Sequence, residues 1–289
     1  MASKAETNEP IEVLFALQDK FNITDFAAPL EALTSALHDK NDESTKAFEC
    51  MIAGPEPKVM SEQGVVIGSQ IAYKEAYERL SDFDVLIVVG GNSDGVLKGK
   101  TEPLSIISAF AELQKKDSSR ERTLMSICTG SLFLAEQGIL SGLSATTHPD
   151  YMTKFEILCS NAAQRDLQER TDVVEDARYV VNNLRFDLGD EDENPYIRRK
   201  SDNNDRRPSN ARKGSISFQG SNARRESIAR RAAMRLGGLR VITSGGVCAG
   251  LDAALYLVSI LVDDNAANEV ARLMQHEWIK GIVVDGLDV

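Results

Sequence analysis

The chain has 289 residues, 42% hydrophobic and 27% charged, the composition of an ordinary globular protein able to bury a sizeable core. Its formal net charge of −11 argues against a nucleic-acid-binding body, and no run is long enough to span a membrane. Cys50, Cys128, Cys159 and Cys248 are scattered without C-x-x-C pairs or metal-ligand spacing, which reads as reduced thiols with neither a disulfide framework nor a metal site. The N-terminus is polar without an apolar signal core, and D-G-L-D-V at the C-terminus is no retention signal, so a cytoplasmic location is expected.

In chain order, Ile11 to Leu17 is apolar enough for an interior strand. T-D-F-A-A-P-L-E-A-L-T-S-A-L then predicts a helix from about Ala27 to Leu37, with Asp25 at its mouth as an N-cap or first-turn acid. Lys46 to Ala53 is a second strand, and Val65 to Ile67 a short third one, a hairpin arm after Gly64. Tyr73 to Leu80 gives a helical turn or two. Val85 to Val89 is a continuous apolar run suited to a parallel strand covered on both faces, and Gly90-Gly91 follow its carboxyl end, where open α/β sheets bind ligands. Pro103 opens a helix to about Lys116.

Thr123 to Gln137 is the most informative stretch. Thr123 to Ile127 reads as a buried strand, Cys128-Thr129-Gly130-Ser131 breaks it, and Leu132 to Gln137 is helical in composition. A strand turning sharply into a helix with a nucleophile at the corner is a nucleophile elbow. It sets the side chain beside a helix N-terminus, whose free N–H groups and dipole favour a thiolate, and Gly130 leaves room for close backbone approach. The bland alternative is a buried core cysteine. Gly138 suits a helix C-cap, Ser144 to Thr147 is a short strand ending at His148, Tyr151 to Ser160 is helical, and Tyr179 to Asn182 is a strand.

From about Leu184 to Gly237 the character changes. An acidic knot (Asp187 to Glu193) precedes residues 198–235, which carry twelve Lys or Arg against three acidic residues. With few apolar anchors, such a segment cannot offset its ordering entropy, and disorder is expected for most of it. R-R-P-S, R-K-G-S and R-R-E-S end at Ser209, Ser215 and Ser227, the pattern basophilic kinases read; a solvated Arg-rich tether is the plain alternative. Glu226 to Arg235 could form a short amphipathic helix. Leu239 to Thr243 resumes as a strand, Gly245-Gly246 as a tight turn, and Leu251, Ala254, Leu255, Val258 and Val262 as a helical stripe. Ala266 to Ile279 is the last helix, with the single tryptophan, Trp278. The insert therefore falls between two strands, most simply at a hairpin tip.

The motifs S-I-C-T-G-S-L-F-L-A (126–135), S-A-T-T-H (144–148) and S-G-G-V-C-A-G-L-D (244–252), with V-V-G-G (88–91) and D-F-A-A-P (25–29), resemble the ThiJ/PfpI superfamily. Within it they are most similar to the isocyanide hydratase branch. The resemblance implies a doubly wound, mostly parallel α/β sheet between helices, the class I glutamine amidotransferase-like fold. One such domain would cover residues 10–285, interrupted by a disordered insert at 186–236 and preceded by a disordered residues 1–9 segment. It implies Cys128 as nucleophile, Thr129 as the neighbouring hydroxyl, and Asp25 as the acid facing the thiol. Gly90, Gly91 and the Thr129 N–H would form an oxyanion-type site, and His148, Gly245 and Gly246 would line the substrate pocket. The chain departs from the branch at Ala28, where glycine is usual, and at Val89, where proline is usual. Thr129 sets it apart from relatives with histidine after the cysteine, and adjacent His276-Glu277, placed in a helix, cannot supply the H-x-E of true glutamine amidotransferases. The resemblance also implies a homodimer acting on a small molecule without metal or organic cofactor, while the basic-x-Ser repeats, outside the resemblance, suggest a kinase or partner engaging residues 198–235. Two other readings stay open: a redox-sensing protein whose elbow cysteine oxidises reversibly, and a thiol hydrolase acting on carbonyl adducts.

Overall fold

A computed structural model describes residues 9–182, 197–198 and 235–284. Thirteen strands occur among these residues: β1 (Ile11–Ala16), β2 (Phe48–Gly54), β3 (Lys58–Met60), β4 (Val66–Gly68), β5 (Ile71–Ala72), β6 (Val85–Val88), β7 (Thr123–Ile127), β8 (Ser144–Ala145), β9 (Asp172–Val173), β10 (Tyr179–Asn182), β11 (Ile197–Arg198), β12 (Arg240–Ser244) and β13 (Ile282–Val284). Nine of them form one sheet in the order β11-β13-β10-β12-β7-β6-β1-β2-β5. Its central strands β12, β7, β6, β1 and β2 are mutually parallel, while β10 runs antiparallel to β12. The expected doubly wound, mostly parallel sheet is therefore present.

Both faces of the sheet are apolar because both are covered, and alternate residues serve alternate faces. Val13, Phe15, Val85, Ile87, Met125, Ile127 and Ile242 pack against α1 (Ile23–Thr34) and, counting the helices in chain order, α7 (Cys248–Leu261) and α8 (Asp264–Leu273). Leu14, Ala16, Leu86, Val88, Leu124 and Val241 face the other way, onto α4 (Leu104–Lys116), α5 (Gly130–Glu136) and α6 (Met152–Asp166). Two shorter helices, α2 (Tyr73–Glu78) and α3 (Ser93–Gly99), complete the set among the described residues. None of the described helices is long and apolar enough to cross a membrane.

Three boundaries differ from the predicted ones for physical reasons. Helix α1 starts at Ile23, four residues before the predicted start, because Asn22 caps it by accepting the Thr24 N–H (3.2 Å); Asp25 lies inside the first turn and is not the cap. Helix α8 ends at Leu273, so His276, Glu277 and Trp278 follow it outside any helix: Gln275 takes a positive φ of 50°, and His276 is drawn to the buried Asp252. The body resumes before residue 237, since Leu236 is buried and Arg235 donates to the carbonyls of Gly138 and Ile139 at the end of α5. The backbone of Ile197–Arg198, within the predicted insert, pairs in parallel with β13. The remainder of the expected disordered insert, with Ser209, Ser215 and Ser227 and most of the helix predicted for Glu226 to Arg235, lies outside the described residues, as do residues 1–8.

Candidate active site

Four adjacent parallel strands, β12, β7, β6 and β1, end on one side of the sheet, and the predicted site residues meet there. Cys128 directly follows β7 with φ at +57°, a left-handed conformation that costs a non-glycine residue about 1–3 kcal/mol. The flanking bonds hold it there. Its N–H donates to Ser244 O and Gly245 O at 3.1 Å each, and its carbonyl accepts from Ser131 Oγ (3.0 Å) and Thr147 Oγ1 (3.3 Å). Ser131 and Thr147, to which the sequence motifs assign no role, hold the carbonyl side of this strained peptide.

Asp25 is fully buried. Its Oδ1 accepts the Val247 N–H (3.1 Å), across 222 residues of sequence. Its Oδ2 has no partner of full hydrogen-bond geometry among the described residues, although the Cys128 thiol and the Gly90 N–H adjoin the carboxyl. A Cβ at Gly90 would lie 2.7 Å from Asp25 Oδ2 and 2.9 Å from both Cys128 Cβ and Thr129 Oγ1, so only glycine fits between acid and thiol. Val247 donates from a positive φ of 49°, an outlier for a β-branched residue that nothing in its local sequence signals.

Burial pushes the Asp25 carboxyl above its ordinary 3.8, opposed by the Val247 N–H, the thiol, His148 and the Gly90 N–H. Burial also pushes the Cys128 thiol up, and the Asp25 charge adds to that; the Thr129 N–H and hydroxyl pull the other way and are outweighed. Cys128 is 6% exposed, and this desolvation opposes the lowering that a helix N-terminus suggests for an elbow thiol.

The two glycine N–H groups expected at an oxyanion-type site are committed in the resting protein. Gly91 donates to Thr129 Oγ1 (3.0 Å), and the Gly90 N–H faces Asp25. Gly91, at φ +102°, also passes so close to residues 20–22 that a Cβ would sit 2.5 Å from Lys20 O. The second glycine pair closes the other wall: a Cβ on Gly246 would lie 3.6 Å from Cys128 Sγ and 2.5 Å from His148 Cδ2, while Gly245 donates to Arg178 O (3.0 Å). His148 borders this wall edge-on to Tyr151, with Nδ1 accepting the Asp150 N–H (3.2 Å). No group of three or more His, Cys, Asp or Glu with metal-holding geometry occurs among the described residues.

Comparison with known proteins bears on this geometry. The model of the DJ-1/PfpI family matches residues 11–183. Over 84 residues the chain is 33% identical to an isonitrile hydratase of Pseudomonas putida, a stretch that is 29% of this chain and 34% of that protein's length. Among solved structures, Drosophila melanogaster DJ-1beta is 16% identical with a TM-score of 0.55, covering 93% of this chain and 100% of its own. Schizosaccharomyces pombe DJ-1 is 14% identical with a TM-score of 0.53, covering 92% and 100%. A ThiJ/PfpI family protein from Pseudomonas syringae is 18% identical with a TM-score of 0.50, covering 94% and 76%. At such identities the structural likeness is one of fold.

Proposed function

The chain belongs to the DJ-1/PfpI family, and from that premise we propose that it is a cysteine-dependent hydratase adding water to an isocyanide-type carbon. One observation supports the reading above the others. Asp25 is wholly withdrawn from solvent beside Cys128, and no Lys or Arg pairs with it among the described residues. A carboxyl so placed exchanges protons readily with an adjacent thiol.

In the proposed cycle Asp25 accepts the thiol proton as Cys128 Sγ bonds to the terminal isocyanide carbon, and that proton passes to the same carbon. The product is a thioimidate, R–N=CH–S–Cys128. Water then adds to the carbon, Asp25 taking one of its protons and delivering it to nitrogen. Collapse of R–NH–CH(OH)–S–Cys128 breaks the C–S bond, the hydroxyl proton returns to sulfur, and an N-substituted formamide leaves. The reaction needs neither metal nor redox partner. The reading includes a small-molecule substrate and a homodimer, the latter checked by light scattering.

Wild-type protein should convert a small aryl or alkyl isocyanide to the formamide, and Cys128→Ala should not. Equal turnover by the alanine variant, or no formamide from the wild type, removes the reading.

A further inference from the structure

Gln18 follows β1, is 3% exposed, and carries no role in the cycle above. Its Nε2 donates to three successive carbonyls at the end of β6: Val89 O (3.1 Å), Gly90 O (3.1 Å) and Gly91 O (3.0 Å). Its Oε1 is buried without a partner among the described residues, so the side chain is held here by its donors alone. An amide buried with half its hydrogen-bonding capacity unused is costly in a core, and an apolar residue of the same size would avoid that cost.

The geometry of a trans peptide explains what the amide does. The carbonyl of one residue and the N–H of the next point in opposite directions. With Val89 O turned to Gln18, the Gly90 N–H turns away from it, towards the Asp25 carboxyl. With Gly90 O turned to Gln18, the Gly91 N–H turns away likewise, onto Thr129 Oγ1. Glycines impose little preference of their own, so something else must choose the direction of these two planes. The Asn22 N–H, bonded to Gly90 O at 2.9 Å, assists one of them.

We propose that Gln18 is a positioning residue for the Cys128 chemistry, orienting the Val89–Gly90 and Gly90–Gly91 peptides so that their N–H groups address Asp25 and Thr129. It touches neither substrate nor the reacting sulfur. The inference rests on the reading of Cys128 and Asp25 as the reacting pair, and its test carries one arm independent of any isocyanide.

Gln18→Met keeps the side-chain length and removes the donors; Gln18→Glu keeps the shape and makes donation depend on protonation. Alkylation of Cys128 by iodoacetamide is followed against pH by peptide mass spectrometry, with kcat and KM for an aryl isocyanide measured in parallel. For Gln18→Met, kcat should fall roughly 10- to 100-fold with KM nearly unchanged, the mark of misplacement of reacting groups and not of weaker binding. Its alkylation profile should move to higher pH, since Thr129 is no longer held. Gln18→Glu should approach wild-type behaviour as the pH falls through its own carboxyl titration and lose it as the pH rises. A purely space-filling role would not produce that dependence. Wild-type alkylation and kcat in Gln18→Met overturn the proposal, as does loss of fold by both variants at every pH. If the wild type turns over no isocyanide, the alkylation arm still decides the role of Gln18.

Discussion

Two aspartates in this fold are fully buried near the same end of the sheet, and they are treated in opposite ways. Asp252, on α7, has its charge answered on every side. Arg178 holds Oδ2 through Nε (2.7 Å) and Nη2 (2.5 Å), and His276 Nε2 (2.8 Å) and the Ile279 N–H (3.0 Å) hold Oδ1. Asp25 receives one full hydrogen bond from a backbone N–H and faces a thiol with its other oxygen. A carboxylate bonded on both oxygens to a guanidinium, an imidazole and a backbone N–H ties structure together. One enclosed by weak donors, with its carboxyl raised by burial, has the surroundings that the proposed proton carrier needs. The contrast separates a fastening from a site without appeal to where either lies in the sequence.

The largest expected effect comes from breaking the fastening. Arg178→Met leaves Asp252 charged, wholly buried and without its cation, a loss of about 3–5 kcal/mol. At roughly 2–4 °C per kcal/mol for a domain of this size, the melting temperature should drop by about 10 °C, read by calorimetry. Turnover per folded molecule should stay close to wild type. Asp252→Asn should cost less, because the charge left behind, on Arg178, retains some solvent contact.

Asp25→Asn should show the reverse pattern. Turnover should fall by roughly 10²-fold or more, the usual contribution of a general acid–base group, with the melting temperature held or raised. An equal loss of stability in Asp25→Asn and Asp252→Asn would erase the distinction drawn here.

The smallest effect is one of pH, and its sign follows from linkage. Burial raises the Asp25 carboxyl in the folded state, so folding takes up a proton between the ordinary value of 3.8 and the raised one. The stability this group contributes is present at low pH and lost as the pH climbs through the raised value. Asp25→Asn lacks that titration, so its stability relative to wild type should grow over the same climb. Urea midpoints measured at several pH values would expose a constant difference, which would mean that Asp25 is not perturbed.

The elbow and the glycine pair were legible because each is a local event: a run of apolar residues, then a break, then a helix. The residues that complete the site were not. Val247 reaches Asp25 from 222 positions away, and its positive φ belongs to no turn motif in S-G-G-V-C. Gln18 looks like any polar residue after a strand until β6 is laid beside β1. Strands of two or three residues, such as β5, β11 and β13, show no periodicity to read, and only their neighbours make them strands. The end of α8 was misplaced because composition favours helix through Ile279, whereas the buried Asp252 recruits His276 away from the helical path. Asp25 itself was found for its family context; its local sequence pointed to a helix cap or a first-turn acid, and the first turn is where it lies.

The position of β12 also bears on how the molecule is made. It lies between β10 and β7 near the middle of the sheet, yet it is encoded after residue 239, beyond the long basic segment. A chain leaving the ribosome at about 5–20 residues per second therefore carries β7, β6 and β1 for some seconds with one central edge open. In that interval the Cys128 strand lacks a neighbour, and the Val247 N–H that holds Asp25 does not yet exist. Because β12 is encoded after the strands on both its sides, this part of the sheet completes late. A thiol that ends buried thus starts exposed to water, next to an unpaired strand edge that invites other chains.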